Sequence, residues 1–417
     1  MRGRDHEEHG ARARQREHRP AATAPLGVAT RRTRGGRALL GCVLVLAGCA
    51  GEPAPQPEPR REETRATMAD LVTALREVLP LALSEQRFSA PEHEAQVAHA
   101  LAYLRASASA LERHGRDESA TFRYLSYKQA RDAEEIERRF LRGRPDEARF
   151  LLGELVDDCV GCHASLPGDR GSALGRSLFR DVARGSLEPA ERVRLLIAMR
   201  ESDAAMGEIE TLLRDPHVSP ASLDLRGFLG DYLRLAIRVR QRPQRAREAL
   251  REFAARPDLP HYLQEILDAW VDALAELELG HSPGDELARA QAILREGQAL
   301  RRFPADRSGL VHDLAAATLL QRFLEQTRHG SLESAEAYYL LGLAELRSEL
   351  SPWRLQGDLY LETAIRSAPD SRWAREAFAV LEETTLAGYS GSGGTDLPPD
   401  VARWLGELRR LASGDEY

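Results

Sequence analysis

The chain has 417 residues, of which 42% are hydrophobic and 29% charged, a balance typical of globular domains. At roughly 150 residues per domain, this length favours two domains once an N-terminal targeting segment is set aside. Residues 1–49 hold ten arginines against four acidic residues, so removing them changes the formal charge from −7 to −13. Such an acidic chain lacks the clustered basic residues that neutralise phosphates, which argues against nucleic acid as a partner.

The N-terminus has the pattern of an export signal. An arginine-rich flank precedes a short apolar run, Ala38 to Ala47, which is too short to span a bilayer. The run closes on Leu46-Ala47-Gly48-Cys49, which resembles a bacterial lipobox. That resemblance implies a signal peptide over residues 1–49, an acylated Cys49 and, because Ala50 follows, an outer-membrane anchor in the periplasm. An ordinary signal peptide with a small-residue cleavage site is the alternative.

Two segments of different composition follow the signal. Residues 50–63 are rich in Pro and Glu, which predicts an extended tether with too little apolar content to fold. Residues 64–167 then show four amphipathic stretches whose apolar residues recur three and four apart. In the first, the stripe includes Met68, Leu71 and Leu75, and Pro80 is expected to kink or end the helix.

Start and stop signals divide the next three stretches. Gly115 and Gly143 are predicted stops, and Ser89, Ser119 and Pro145 lie near predicted starts. Four helices of this length with short connections predict an antiparallel up-and-down bundle. The expected fold class is therefore all-α, with a four-helix bundle first.

Residues 168–417 keep a helical pattern that recurs in pairs, which predicts an α-solenoid. The clearest pair runs from Ala337 to Ala344 and from Tyr360 to Pro369. Tyr338, Leu341, Gly342, Ala364 and Pro369 match the pattern of a tetratricopeptide repeat, with about three extra residues between the helices. This part resembles degenerate tetratricopeptide repeats, and the resemblance implies a surface for protein partners.

The sequence Cys159-Val160-Gly161-Cys162-His163 lies near the end of the fourth predicted helix. Two thiols at this spacing can add to the vinyl groups of haem, and the adjacent imidazole can bind its iron. Cys159 and His163 share a helical face because they are four residues apart. An accidental match, a zinc site and a redox dithiol are the alternatives. Zinc lacks further cysteine ligands in the mature chain, since Cys42 leaves with the signal and Cys49 takes the lipid.

The motif's place at the end of a fourth helix resembles the cytochrome c-prime family and its low-spin four-helix relatives. The resemblance implies one covalent haem c on Cys159 and Cys162, with His163 as the proximal iron ligand. It also implies Met68 as a sixth ligand, since the low-spin relatives place an axial methionine there; core packing is the alternative role. His114, at the end of the second helix, is a further candidate for the sixth position, with a solvent-facing role at the helix end as its alternative. Pairing into homodimers is common in this family.

One-electron transfer is the favoured function, with the repeats docking a redox or envelope protein. If no side chain takes the sixth position, the iron is open to small gases, which predicts a sensor or carrier instead. An envelope scaffold with a structural haem is a third interpretation. The sequence offers no second catalytic constellation, so we do not expect an enzyme. A weak peroxidase activity stays open as an alternative, though no distal acid–base pair can be assigned.

Overall fold

The structure is a computed structural model that describes residues 58–116, 118, 120–165, 173–183, 187–223, 227–277, 284–327, 330–348 and 356–414. Cys49, the predicted signal and residues 50–57 lie outside the described residues. The described part is almost wholly helical, which confirms the all-α prediction. Its α-helices are, in chain order, α1 (Glu58–Ala82), α2 (Glu85–Phe88), α3 (Glu94–Gly115), α4 (Ala120–Leu141), α5 (Pro145–Ser165), α6 (Ala173–Ala183), α7 (Pro189–Ala198), α8 (Ser202–Arg214), α9 (Phe228–Arg234), α10 (Pro243–Ala254), α11 (His261–Glu276), α12 (Glu286–Ala299), α13 (Leu310–Gln326), α14 (Leu332–Ser348), α15 (Gln356–Ser367), α16 (Arg372–Gly388) and α17 (Pro399–Ser413).

Helices α1, α3, α4 and α5 correspond to the four helices predicted between residues 64 and 167. Their ends follow the predicted signals: α3 ends at Gly115, and Gly143 has a positive φ of 73° between α4 and α5. A glycine is suited to this turn because it adopts positive φ without strain. The predicted stripes are buried, since Leu71, Leu101, Ile136 and Leu152 are each at most 3% exposed.

The first helix differs from its prediction at its start and near its end. Helix α1 begins at Glu58, so residues 58–63 of the predicted tether are helical. Pro59 fits the first turn, where its missing N–H would have no helical partner, and the Arg and Glu residues that follow are good helix formers. Pro80 lies inside the helix and does not end it, and Leu81 after it is buried, so of the two predicted effects only the kink stays a prediction.

The helices pack mainly on their neighbours in the chain. Helix α1 packs along α3, α3 along α4 and α4 along α5. The array then continues, because α5 also packs against α7, α7 against α8, and α6 lies against α1. One cluster of buried side chains runs from Leu71 in α1 to Ala315 in α13, so apolar packing continues past residue 167. The domain boundary at 167/168 stays a prediction.

The helix pair predicted near the C-terminus is present as α14 and α15, which pack closely together. Their contact requires small residues: a Cβ on Gly342 would lie 2.8 Å from the side chain of Leu361. Trp373 lies at the start of α16, and the loop after α16 contains two short antiparallel strands, β1 (Ser390–Gly391) and β2 (Gly394–Thr395). A second buried cluster joins α12 to α17.

Between α9 and α10 the chain forms a π-helical turn over Leu235–Val239. This turn packs against α5, α8, α10 and α13, so it lies where the first helices meet the later ones. Its Arg238 is 2% exposed and forms an ion pair of 2.8 Å with the equally buried Glu345 of α14. No helix in the described ranges has the length and apolar character needed to cross a bilayer.

Candidate functional site

The Cys-Val-Gly-Cys-His motif occupies the last turns of α5. Asp146 and Glu147 lie in the first turn of this helix, where their charge suits the positive end of the helix dipole. Val160 and Ala164 are fully buried, so they fix which side of the helix faces the core. The remaining motif side chains, Cys159, Cys162 and His163, lie to the side of that face and are only partly buried.

Both cysteines are free thiols in partly buried positions. Cys159 packs against the main core cluster, and the Nε2 amide of Gln129 in α4 donates to its Sγ at 3.4 Å. Burial raises the pKa of Cys159 to about 12 and that of Cys162 to about 11. Redox-active dithiols depend on a lowered pKa, so this environment disfavours the dithiol alternative.

His163 is held from outside the four predicted helices. Its Nδ1 lies 2.7 Å from the carbonyl oxygen of Ala198, at the end of α7. Because a carbonyl oxygen only accepts, Nδ1 carries the proton and donates, and Nε2 keeps a lone pair. Burial, with the charge of Arg200, lowers the pKa of His163 to about 3 despite this hydrogen bond, so the ring is neutral. A neutral ring with a free Nε2 is the form that binds a metal.

Charged residues of α4 and α5 surround the motif. The Nζ of Lys128 donates to Asp132 at 2.7 Å and to both oxygens of Asp158 at 2.6 and 2.7 Å, which joins the two helices beside Cys159. Burial alone would lower the pKa of Lys128, but the charges of Asp158 and Asp132 outweigh it and raise the pKa. The ammonium therefore stays charged next to the motif.

The two candidates for the sixth position lie on α1 and α3, which pack against each other. Met68 is partly buried and packs against the core cluster from α1. The Nε2 of His114 lies 2.5 Å from Oγ1 of Thr64 in α1, and its Nδ1 lies 3.7 Å from Glu63. Iron ligation through Nε2 of His114 would therefore have to break the contact with Thr64, whereas Met68 has no competing hydrogen bond to lose.

The histidines described outside the motif differ in exposure. His99 and His261 are exposed, with 78% and 89% of their side-chain surface in solvent. His312 is partly buried against Gly297, and burial lowers its pKa. The described ranges contain no group of three or more His, Cys, Asp or Glu side chains placed to hold a metal ion. A haem site needs none, since the porphyrin supplies the remaining iron ligands.

The sequence predicted Cys159, Cys162 and His163 as site residues, which stays a prediction, but it did not indicate that Gln129, Ala198 and Arg200 lie against them. A pattern search could not find Ala198, because its contribution is a backbone carbonyl. No protein-family model matches the chain, and neither a curated protein nor a solved structure matches it. The function proposed for this site therefore rests on its own residues alone.

Proposed function

We propose that this protein is a haem c-binding periplasmic lipoprotein that transfers one electron at a time, with a single haem on Cys159 and Cys162 and with His163 as the proximal ligand. The iron of bound haem would supply the redox couple. The observation that carries the proposal is the state of the motif in α5. Two free thiols lie beside a neutral imidazole whose proton is fixed on Nδ1, so Nε2 is available to iron.

The surroundings suit a buried redox group. Gln129 touches Cys159, and the Lys128 ion pairs join α4 to α5 beside it, so the helix that would carry the haem is held in place. Rigid placement favours electron transfer because the site then changes little between redox states. Within the cytochrome c-prime-like bundle proposed for residues 64–167, Met68 is the preferred sixth ligand, since His114 is engaged by Thr64.

The helical repeats predicted for residues 168–417 are proposed to dock a redox or envelope protein through a tetratricopeptide-like surface. Helices α14 and α15 pack closely as a pair. In repeat proteins, stacked helix pairs of this kind build the surfaces that bind other proteins. The acylated Cys49 would hold the protein at the membrane, with the outer membrane favoured.

The deciding experiment is to produce the exported chain together with haem-attachment machinery and to record optical and EPR spectra in both redox states. We expect a haem that stays with the polypeptide under denaturing conditions, and a low-spin spectrum that carbon monoxide does not change. The Cys159→Ala/Cys162→Ala variant should lose the covalent haem, and His261→Ala, which changes an exposed histidine, should keep it.

The outcomes separate the candidate functions. A parent chain without covalent haem would refute the proposal. A high-spin spectrum that shifts with carbon monoxide would replace electron transfer by gas binding, because the iron would then have an open position. The scaffold interpretation predicts that the double cysteine variant unfolds while electron delivery in the envelope is unaffected.

A further inference from the structure

Helix α7 ends in a turn whose hydrogen bonds can be followed one by one. The last carbonyls of a helix have no partner inside it and must find one elsewhere. Here the N–H of Met199 donates to Leu195, that of Arg200 to Ile197 and that of Glu201 to Leu196, each at 2.9 Å. These are the bonds of a Schellman turn, in which one residue adopts positive φ.

The residue at positive φ is Arg200, with φ of 58°, where glycine is usual. The turn directs the carbonyl of Ala198 at α5, where it accepts from Nδ1 of His163 at 2.7 Å. Ala198 is only 3% exposed, so its carbonyl would be costly to bury without this partner. The carbonyl group at the end of α7 and the imidazole N–H of His163 thus satisfy each other's hydrogen-bonding capacity.

Such a contact has a specific consequence for a metal-binding histidine. A carbonyl that accepts from one ring nitrogen fixes the tautomer and the ring orientation, and makes the other nitrogen a stronger donor. A stronger donor stabilises the oxidised iron and so lowers the reduction potential. Arg200 adds a positive charge whose field reaches His163 and Cys162.

We propose that the turn from Ala198 to Arg200 is the positioning element of the haem site, which orients His163 and lowers the reduction potential of the iron that it binds. The effect on the reduction potential rests on the proposed function, whereas the positioning of the imidazole does not. The turn belongs to α7, beyond the four predicted bundle helices, so a partner that displaces α7 on α5 would change the potential of the haem.

The first test needs no haem. The full exported chain, produced without attachment machinery and kept reduced, is labelled with ¹⁵N, and the imidazole shifts of His163 are assigned by comparison with His163→Gln. We expect the Nδ1–H tautomer, with the proton slow to exchange. The Nε2–H tautomer, which a neutral histidine prefers in water, would overturn the proposal whatever the chain does with haem.

The second test uses the haem-loaded chain and two variants of Arg200. Arg200→Gly removes the charge but keeps the turn, because glycine adopts positive φ freely. Arg200→Val removes the same charge and disfavours the turn, because β-branched residues resist positive φ. We expect a more positive midpoint potential for the valine variant than for the glycine variant, with Arg200→Asn close to glycine.

Equal midpoint potentials for the glycine and valine variants would overturn the proposal. That result is expected if the turn only caps α7 and has no influence on the iron. If the parent chain takes up no haem, the proposed function fails and the tautomer of His163 alone decides whether the turn positions it. If the haem-free chain does not fold, the comparison of the Arg200 variants decides.

Discussion

The side-chain hydroxyls of Thr121 and Tyr360 lie 2.6 Å apart in the buried interior, although 239 positions separate them in the chain. Thr121 is in the first turn of α4 and Tyr360 is in α15, so the later helices return to the end of the predicted bundle where the Cys-Val-Gly-Cys-His motif lies. Tyr360 is fully buried, and its ring stacks on that of Tyr338 at 6.4 Å. This contact is therefore part of the core.

Tyr360→Phe should lower the free energy of unfolding by about 1–2 kcal/mol, because it leaves the buried hydroxyl of Thr121 without this partner while the ring keeps its packing. Urea unfolding followed by circular dichroism measures the change. Tyr262→Phe is the matched control, since Tyr262 is 58% exposed and its loss of a hydroxyl should change stability by less than about 0.5 kcal/mol. Equal effects of the two substitutions would contradict the role of the Thr121 contact.

The close approach of α14 and α15 depends on Gly342. A Cβ at this position would lie 2.8 Å from Leu361 and 3.2 Å from the carbonyl of Gly357, so Gly342→Ala must push the helices apart. We expect the free energy of unfolding to fall by about 1–3 kcal/mol, although alanine is the better helix former. Gly406→Ala in α17, where a Cβ meets nothing within 4 Å, should instead gain up to about 1 kcal/mol. Thermal unfolding of both variants gives the signs.

The sequence predicted the ends of α3, α4 and α5 to within a few residues because caps and glycines act locally. It also predicted a haem site at Cys159, Cys162 and His163 from their spacing, and that assignment stays a prediction. It could not identify the partner of His163. The turn after α7 lacks the glycine that usually marks such an end, and a backbone carbonyl leaves no mark in the sequence.

The buried ion pair of Arg238 and Glu345 escaped prediction for a related reason. Long-range pairing and burial depend on how the π-helical turn at Leu235–Val239 meets α14, and charged residues in an amphipathic pattern are expected to face solvent. Tertiary packing thus decides which of the many arginines are internal.

Arg238→Met should lower the free energy of unfolding by about 3–5 kcal/mol, because it leaves the buried Glu345 without its ion-pair partner. The double variant Arg238→Met/Glu345→Leu should lose less stability than the single variant, since it leaves no unpaired charged group in the interior. A double-mutant cycle by denaturant unfolding measures the coupling. Strictly additive effects would show that the two side chains do not stabilise each other.

Met68 and His114 can be separated by their effects on the haem spectrum. If Met68 is the sixth ligand, Met68→Ala converts the low-spin spectrum to a high-spin one that binds carbon monoxide. His114→Ala removes a side chain engaged by Thr64, so we expect the spectrum to stay low-spin while stability falls. A spectrum changed by the His114 substitution and unaffected by the Met68 substitution would reverse the assignment.

The acidic side chain of Asp358 makes stability depend on pH. Burial, with the charge of Glu362 nearby, raises its pKa from 3.8 to about 6, and its Oδ1 accepts no hydrogen bond within the described part of the chain. The folded state therefore binds this proton more tightly than the unfolded state. Between pH 4 and pH 6 the contribution of Asp358 to stability must fall as pH rises, with a slope of at most about 1.4 kcal/mol per pH unit.

Asp358→Asn replaces the carboxyl with a neutral group of similar shape, so it should remove this dependence. We expect the variant and the parent to be similarly stable at pH 4, and the variant to be increasingly more stable up to pH 6, with a constant advantage above that. Urea unfolding at a series of pH values measures the difference, and subtraction of the two curves cancels every other titrating group. A variant less stable than the parent at pH 8 would mean that the Asp358 carboxylate is stabilised by a partner rather than penalised by burial.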